Sequence, residues 1–164
     1  MRKLFFVFFL LLISVDAHEG MFQSVDEKKA TILQEGKNKS DCPACGMNLF
    51  QYYKTTHAIK FKDGTHRQYC SIFCIIDETK NGFLKDKKHL IDTILVVDVA
   101  TLKYIDVKKA FYVVDSKKPP TMSVISTYAF GSKKDAQKFQ KQNGGKITNY
   151  DTAYKLTAKY ISEY

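Results

Sequence analysis

Four cysteines in two closely spaced pairs constrain this chain more than any other feature of its sequence. Two residues separate Cys42 from Cys45, and three separate Cys70 from Cys74. This spacing resembles that of structural zinc sites, in which four thiolates close a tetrahedron. An even number of cysteines is equally typical of disulfides in exported proteins. The cysteine spacing alone therefore does not distinguish a metal site from disulfide bonds.

The first residues predict export. Arg2 and Lys3 precede a nearly unbroken apolar run at 4–15, and a small-residue cleavage site follows at Ala17. This order is that of a secretory signal peptide, and the run is shorter than the roughly 20 residues of a spanning helix. We therefore expect residues 1–17 to be removed and the mature chain to be periplasmic. An uncleaved membrane anchor is the alternative.

The chain is basic, with a formal net charge of +9. Its lysines are scattered rather than interleaved with exposed aromatic residues, and export removes the chain from nucleic acid. We expect no nucleic-acid partner and interpret the lysines as a solvated surface. An acidic partner and peripheral membrane association through anionic lipid are the other interpretations.

The element order predicts an α+β fold of two tandem β-β-α-β halves. In the first half, HAIKF (57–61) and THRQY (65–69) flank an Asp-Gly turn at Asp63, which is a hairpin signal. The segment CSIFCIIDETKNGFL has the apolar spacing of a helix that stops near Asn81, and TILVVDVA (93–100) reads as a buried strand.

The second half repeats this order. AFYVV (110–114) and SVISTYAF (123–130) predict strands, Ser132 caps a helix that stops at Asn143, and KITNY (146–150) predicts a closing strand before a last helix. Only the order of elements repeats, which makes the duplication weak. The predicted boundaries are a signal peptide at 1–17, a flexible leader with little packing at 18–40, a first domain with the metal site at 41–100, and a second domain at 101–164.

Helix geometry separates the two cysteine chemistries in part. If CSIFC begins a helix, the Cβ atoms of Cys70 and Cys74 lie about 5–6 Å apart, whereas a disulfide needs roughly 3.5–4.5 Å. The two thiols then point to one side without bridging, which favours a metal. Disulfides between the CxxC segment and the helix remain open.

Methionine and histidine residues widen the candidate ligand set. A thioether is a poor ligand for zinc and a good one for copper(I), and Met47 follows Cys45 across Gly46, which permits a sharp bend. Met122 lies in the proline-containing loop of the second half, and His66 lies on the hairpin. Core packing for the methionines and partial exposure for the histidine are the alternatives.

Catalysis is poorly supported. A thiol oxidoreductase would place CxxC at the start of a helix after a buried strand, but Cys42 follows a polar segment and Gly46 interrupts a helix. The sequence shows no serine–histidine–acid pattern and no glycine-rich phosphate loop. We expect a protein that is not an enzyme.

Four segments together resemble the NosL family, which are exported accessory proteins of nitrous oxide reductase. These are CPACGM at 42–47, KFKDGTHRQYC at 60–70, AFYVVDS at 110–116, and PPTMSVISTYAFGSKKDAQKFQKQNGG at 119–145. The resemblance covers most of 41–155. It implies two similar β-β-α-β domains, copper(I) binding, and delivery of copper to apo nitrous oxide reductase or another copper protein.

The resemblance also implies ligands. By position, the motif cysteine and methionine of the family fall on Cys45 (or Cys42) and Met47, and its second-domain methionine falls on Met122, so that two domains share one ion. This sequence differs by lacking a lipid-anchor cysteine and by adding Cys70 and Cys74, which makes its first half similar to TRASH or YHS metal-binding modules.

Two functions therefore remain. In the first, the chain is a copper(I) metallochaperone whose primary site is Cys42, Cys45 and Met47, completed by Met122, with Cys70, Cys74 and His66 as further candidate ligands. In the second, the cysteines hold zinc or form disulfides, and the chain is a structural interaction module.

Overall fold

The structure is a computed structural model that describes residues 21–161. The predicted signal peptide lies outside the described residues. Over these residues, two antiparallel sheets and three α-helices form an α+β fold, and the β-β-α-β order predicted for each half is confirmed.

The first half contains β1 (His57–Phe61), β2 (His66–Tyr69), α1 (Ile72–Lys80) and β3 (Ile91–Val97). The second contains β5 (Phe111–Val114), β6 (Thr127–Phe130), α2 (Lys133–Asn143) and β7 (Lys146–Thr148), and is followed by α3 (Tyr150–Ile161). Short 3₁₀ turns lie at Glu27–Lys29, Tyr53–Thr55, Lys88–Leu90 and Val107–Lys109.

Both sheets have the same topology. The first strand of each half is central, with the second strand on one side and the strand after the helix on the other, which gives β2-β1-β3 and β6-β5-β7. The extra strand β4 (Tyr104–Asp106) extends the first sheet by pairing with β3. The chain therefore leaves the first sheet only after Asp106.

One predicted strand is shorter than expected. Residues 123–125 form bends, and β6 begins at Thr127. The hydroxyl of Ser126 accepts a hydrogen bond from the backbone N–H of Ser116 at 2.8 Å. A serine side chain that bonds the backbone in this way competes with the ladder of a sheet.

The segment 21–40 packs against both halves, so the expectation of little packing there is wrong for these residues. The buried side chain of Gln23 donates from Nε2 to the carbonyl of Pro119 at 3.0 Å. The ring of Phe22 meets Tyr128 edge to face at 5.3 Å, and Ile32 packs against the cysteine-containing core. Packing is predicted from apolar residues that recur with a helix or strand period. The few apolar residues of this polar segment have no such period.

Helix α1 lies between two cores because it is apolar on two faces. Cys74 and Ile75 belong to the core under the first sheet, while Ile72 and Ile76 belong to a core shared with β5, β6 and α3. A third core lies under α2 around Phe139. In residues 21–161, no helix combines the length and the apolar character needed to span a bilayer.

A buried histidine joins the two sheets. His57 on β1 contacts the hydroxyl of Tyr112 on β5 through Nε2 at 3.1 Å, and its Nδ1 lies 2.9 Å from the carbonyl of Thr55. Burial lowers the pKa of His57 to about 4. The imidazole is therefore a neutral hydrogen-bonding group within the fold.

Candidate metal centre

A tight turn presents the first cysteine pair. The backbone N–H of Cys42 donates to the carbonyl of Met47, and that of Gly46 donates to the carbonyl of Cys42, both at 2.8 Å. Gly46 has φ of 75°, a left-handed conformation that glycine adopts without strain. The bend predicted at Gly46 is confirmed, and it turns Cys45 and Met47 toward the same core.

The junction between β2 and α1 presents the second pair. Cys70 follows the last residue of β2, Ser71 is the N-cap of α1, and Cys74 is the third residue of the helix. The Sγ atoms of Cys70 and Cys74 lie 3.5 Å apart. All four cysteines, each of which lies in the described part of the chain, are free thiols.

The two segments bring all four sulfur atoms together, within 4.8 Å of one another. Cys45 Sγ lies 3.5 Å from Cys70 Sγ and 3.7 Å from Cys74 Sγ. In a tetrahedral site with metal–sulfur bonds of about 2.3 Å, neighbouring sulfurs are separated by roughly 3.8 Å. The sulfurs of Cys45, Cys70 and Cys74 therefore stand close to the spacing that a single ion requires, and that of Cys42 lies within 4.8 Å of each. We call this group the four-thiol cluster.

A fifth sulfur borders the four-thiol cluster. Met47 Sδ lies 4.0 Å from Cys70 Sγ, and the side chain is partly buried against the same core. Cys42, Cys70 and Cys74 are buried, whereas Cys45 is partly exposed. The cluster is therefore a soft sulfur site that reaches solvent on the side of Cys45.

The thiols strongly influence one another's protonation. Hydrogen bonds from the thiols of Cys45, Cys70 and Cys74 lower the pKa of Cys42. Hydrogen bonding to Cys42, reinforced by burial, raises the pKa of Cys70 and of Cys74. Several thiolates buried together repel one another, and a bound cation removes that penalty. The chemistry of the cluster therefore suits a metal.

The other predicted ligands lie near the cluster without joining it. Within residues 21–161, the grouped metal-ligating side chains are the four cysteines, and His66 is not among them. His66 lines a polar groove of about 530 Å³ together with Cys42 and Gly46. Its role as a ligand stays a prediction.

Met122 lies on the opposite half, in the loop between β5 and β6. It is 41% exposed and has φ of 54°, which is uncommon for a residue other than glycine. It lines a groove with Phe73, the residue that precedes Cys74. Its role as a ligand also stays a prediction.

Sequence reasoning missed a buried link between the cluster and the Met122 loop. The hydroxyl of Thr55 lies 2.8 Å from the carbonyl oxygen of Cys70 and 3.0 Å from the hydroxyl of Thr121. Both threonines are buried. Thr121 directly precedes Met122, so this link fixes the loop, at the residue before Met122, beside the backbone of a cluster cysteine. The threonines are 66 residues apart, and no local pattern could have revealed them.

The fold and the cluster define a two-sheet α+β protein with four clustered cysteines that could hold a metal ion. The family model of NosL matches residues 34–155, and the chain belongs to the NosL family. The crystal structure of the copper chaperone NosL from Shewanella denitrificans is similar, with a TM-score of 0.53 and 22% sequence identity, covering 73% of this chain and 94% of that chain. A comparison with curated proteins finds no match.

Proposed function

We propose that the chain is an exported copper(I)-binding metallochaperone that delivers its ion in the periplasm to apo nitrous oxide reductase or another copper protein. Membership of the NosL family supports the proposal, and so does the name of the structurally similar protein, a copper chaperone. The ion is cargo, and the proposal assigns no catalytic role to the chain.

The observation that carries the proposal is the set of sulfur atoms in one place. Four thiols lie within 4.8 Å of one another, and a thioether lies 4.0 Å from one of them. Thiolates bind both copper(I) and zinc, and a thioether beside them favours copper(I). Cys42, Cys45 and Met47 form the primary site in this proposal, with Cys70 and Cys74 as additional ligands.

Met122 completes the site from the second half. The threonine link fixes the residue before Met122 beside Cys70, and the exposed side chain of Met122 remains free to change partners. An ion that must be handed on needs ligands that can leave one at a time. Cys45 and Met122 are more exposed than Cys42, Cys70 and Cys74. They are the ligands that a recipient would replace first.

A second function is favoured by one specific distance. The sulfur separations of 3.5–3.7 Å are close to the edge of a tetrahedral zinc–thiolate site, roughly 3.8 Å. In that case the four-thiol cluster holds zinc, and the chain is a structural interaction module. Because a structural zinc supplies folding energy, the metal-free chain would then unfold.

The experiment is a transfer assay. The mature chain from residue 18 is loaded with copper(I) without oxygen and mixed with apo nitrous oxide reductase, and copper in each protein is measured after separation. The proposal predicts faster copper acquisition by the reductase than from a low-molecular-weight copper(I) complex of equal affinity. Equal rates from the two donors, or a chain that takes up only zinc, would contradict it.

A further inference from the structure

An exposed apolar pair with a cationic rim lies at one end of the first sheet. Phe83 and Leu90 are 42% and 41% exposed. They line a groove of about 360 Å³ whose other lining includes Phe61, Lys62 and Lys87. We call this groove, with its rim, the Phe83 surface. It is separate from the residues proposed to hold copper.

Cations surround the Phe83 ring. The guanidinium carbon of Arg67 lies 4.3 Å from the ring centroid, and Lys87 Nζ lies 3.5 Å from it. Lys85 and Lys88, in the same segment, are exposed. Positive charges and apolar side chains therefore share one surface.

The acidic groups near this surface are fewer. Asp63 lines the groove and accepts hydrogen bonds from the backbone N–H and the hydroxyl of Thr65, at 2.9 and 2.7 Å. Asp86 lies between Lys85 and Lys87, and Asp92 pairs with Lys60 at 3.3 Å. Glu78 pairs with Arg67 at 3.7 Å. Lys62, Lys85, Lys87 and Lys88 still outnumber the nearby acids that have no cationic partner within residues 21–161, which are Asp63 and Asp86.

We propose that the Phe83 surface binds anionic lipid at a membrane interface. Lysines near a bilayer are attracted to anionic headgroups, and phenylalanine and leucine enter the boundary between headgroups and acyl chains. An anionic bilayer satisfies the cations and removes Phe83 and Leu90 from water. A soluble polyanion without apolar groups satisfies only the cations, and this difference favours the lipid.

The surface also has a position relative to the metal site. Arg67 lines the groove of the Phe83 surface and also the polar groove that contains Cys42. A chain docked on lipid through the Phe83 surface therefore holds the polar groove of the four-thiol cluster beside the membrane. This inference does not depend on which metal the cluster carries.

The test is vesicle flotation of the chain that begins at residue 18. This chain contains every described element, because all of them lie within 21–161. Vesicles of phosphatidylcholine alone are compared with vesicles that also contain phosphatidylglycerol. One variant removes the apolar pair, Phe83→Ser with Leu90→Ser, and another reverses charge, Lys87→Glu with Lys88→Glu. Far-UV circular dichroism checks the fold of each.

Two matched controls come from the second half. Val124→Ser removes an apolar side chain that is 58% exposed, and Lys134→Glu with Lys138→Glu reverses two exposed lysines on α2. Both leave the Phe83 surface intact. Poly-glutamate serves as a soluble acidic competitor.

The proposal predicts binding to phosphatidylglycerol vesicles and little binding to phosphatidylcholine alone. Because each lysine near an anionic surface is worth about five-fold in partition, we expect a loss of about 25-fold or more for the charge-reversed variant. The apolar variant should lose about ten-fold, and both controls should bind like the parent chain. The proposal would be overturned if the parent chain did not bind, or if the controls lost as much binding as the two variants. It would also be overturned if the apolar variant bound like the parent while poly-glutamate displaced the vesicles.

Discussion

The two halves share one topology but differ at the junction between the second strand and the helix. In the first half Tyr69 ends β2, Ser71 caps α1, and Cys70 and Cys74 supply thiols. In the second half Phe130 ends β6, Ser132 caps α2, and the corresponding positions are Gly131 and Asp135. The same junction therefore holds two cysteines of the four-thiol cluster in one half and a conventional helix start in the other.

The N-caps of α1 and α2 differ in their hydrogen bonds. Ser132 accepts a hydrogen bond from the backbone N–H of Asp135 at 3.1 Å and donates to its carboxylate at 2.6 Å, which is a capping arrangement. Cys74 occupies the position of Asp135 in α1, and Ser71 makes no side-chain cap hydrogen bond. The first half therefore has a thiol at the helix position where the second half has a carboxylate bonded to the N-cap serine, and its own N-cap serine makes no cap hydrogen bond.

The largest effect should come from removing thiols of the four-thiol cluster. We expect Cys45→Ser with Cys74→Ser to weaken copper(I) binding by more than about 100-fold, because copper(I) binds hydroxyl oxygen far more weakly than thiolate. Competition with a chelator of known copper(I) affinity measures this. A copper(I) affinity within three-fold of that of the parent would show that the cluster does not bind the ion.

The reciprocal variant tests whether the junction alone makes a site. Gly131→Cys with Asp135→Cys places cysteines at the matching positions of the second half, but that half has no counterpart of the 42–47 turn among its described elements. A Cβ at position 131 would also lie 3.1 Å from Asp98 Oδ2. We expect the number of tightly bound ions per chain to stay unchanged; one additional tightly held ion would contradict this.

The methionines should contribute less than the thiols. We expect Met47→Ala with Met122→Ala to lower copper(I) affinity by about ten-fold or more, because two soft ligands are lost. Met21→Ala is the matched control, since Met21 is exposed at 48% and lies in the leader segment. An unchanged copper(I) affinity in the double variant would show that both methionines have packing roles only.

His57 should make the stability of the chain depend on pH. Its folded pKa of about 4 lies below its ordinary value of 6.5, so the unfolded chain binds the proton more readily. Stability is complete above pH 6.5 and falls as the pH drops toward 4, by about 3 kcal/mol in total. His57→Phe, which copies Phe111 at the matching strand position, should flatten this slope in denaturant titrations. His89→Gln, at an exposed position, should keep the slope of the parent.

The smallest effect should separate the two caps. Ser132→Ala should lower the free energy of unfolding by about 1 kcal/mol, the usual value of an N-cap. Ser71→Ala should cost less, because the buried hydroxyl of Ser71 has no hydrogen-bond partner among the described residues. Urea denaturation of both variants measures the difference. Equal losses would show that the two junctions are energetically alike.

Local signals made much of the fold and part of the site predictable. The Asp63-Gly64 turn, the apolar period of α1 and the short spacing of the cysteines are each read within a few residues. The bend at Gly46 and the proximity of Met47 to the cluster follow from the same short spacing.

Long-range contacts were not predictable. The link from Thr55 to Thr121 and the packing of Gln23 against Pro119 join residues that are far apart in the chain. Pairing of β4 with β3 depends on which sheet edge is available, and a strand pattern does not specify an edge.

The most direct test of the copper proposal is metal content under competition. The chain from residue 18 is purified without oxygen, and copper and zinc per chain are measured before and after challenge with copper(I) chelators of increasing strength. The account predicts one copper(I) per chain, retained against a weak chelator and lost to a strong one, with the metal-free chain still folded by circular dichroism. Zinc that copper(I) cannot displace, together with unfolding when that zinc is removed, would contradict the account and leave the structural zinc module.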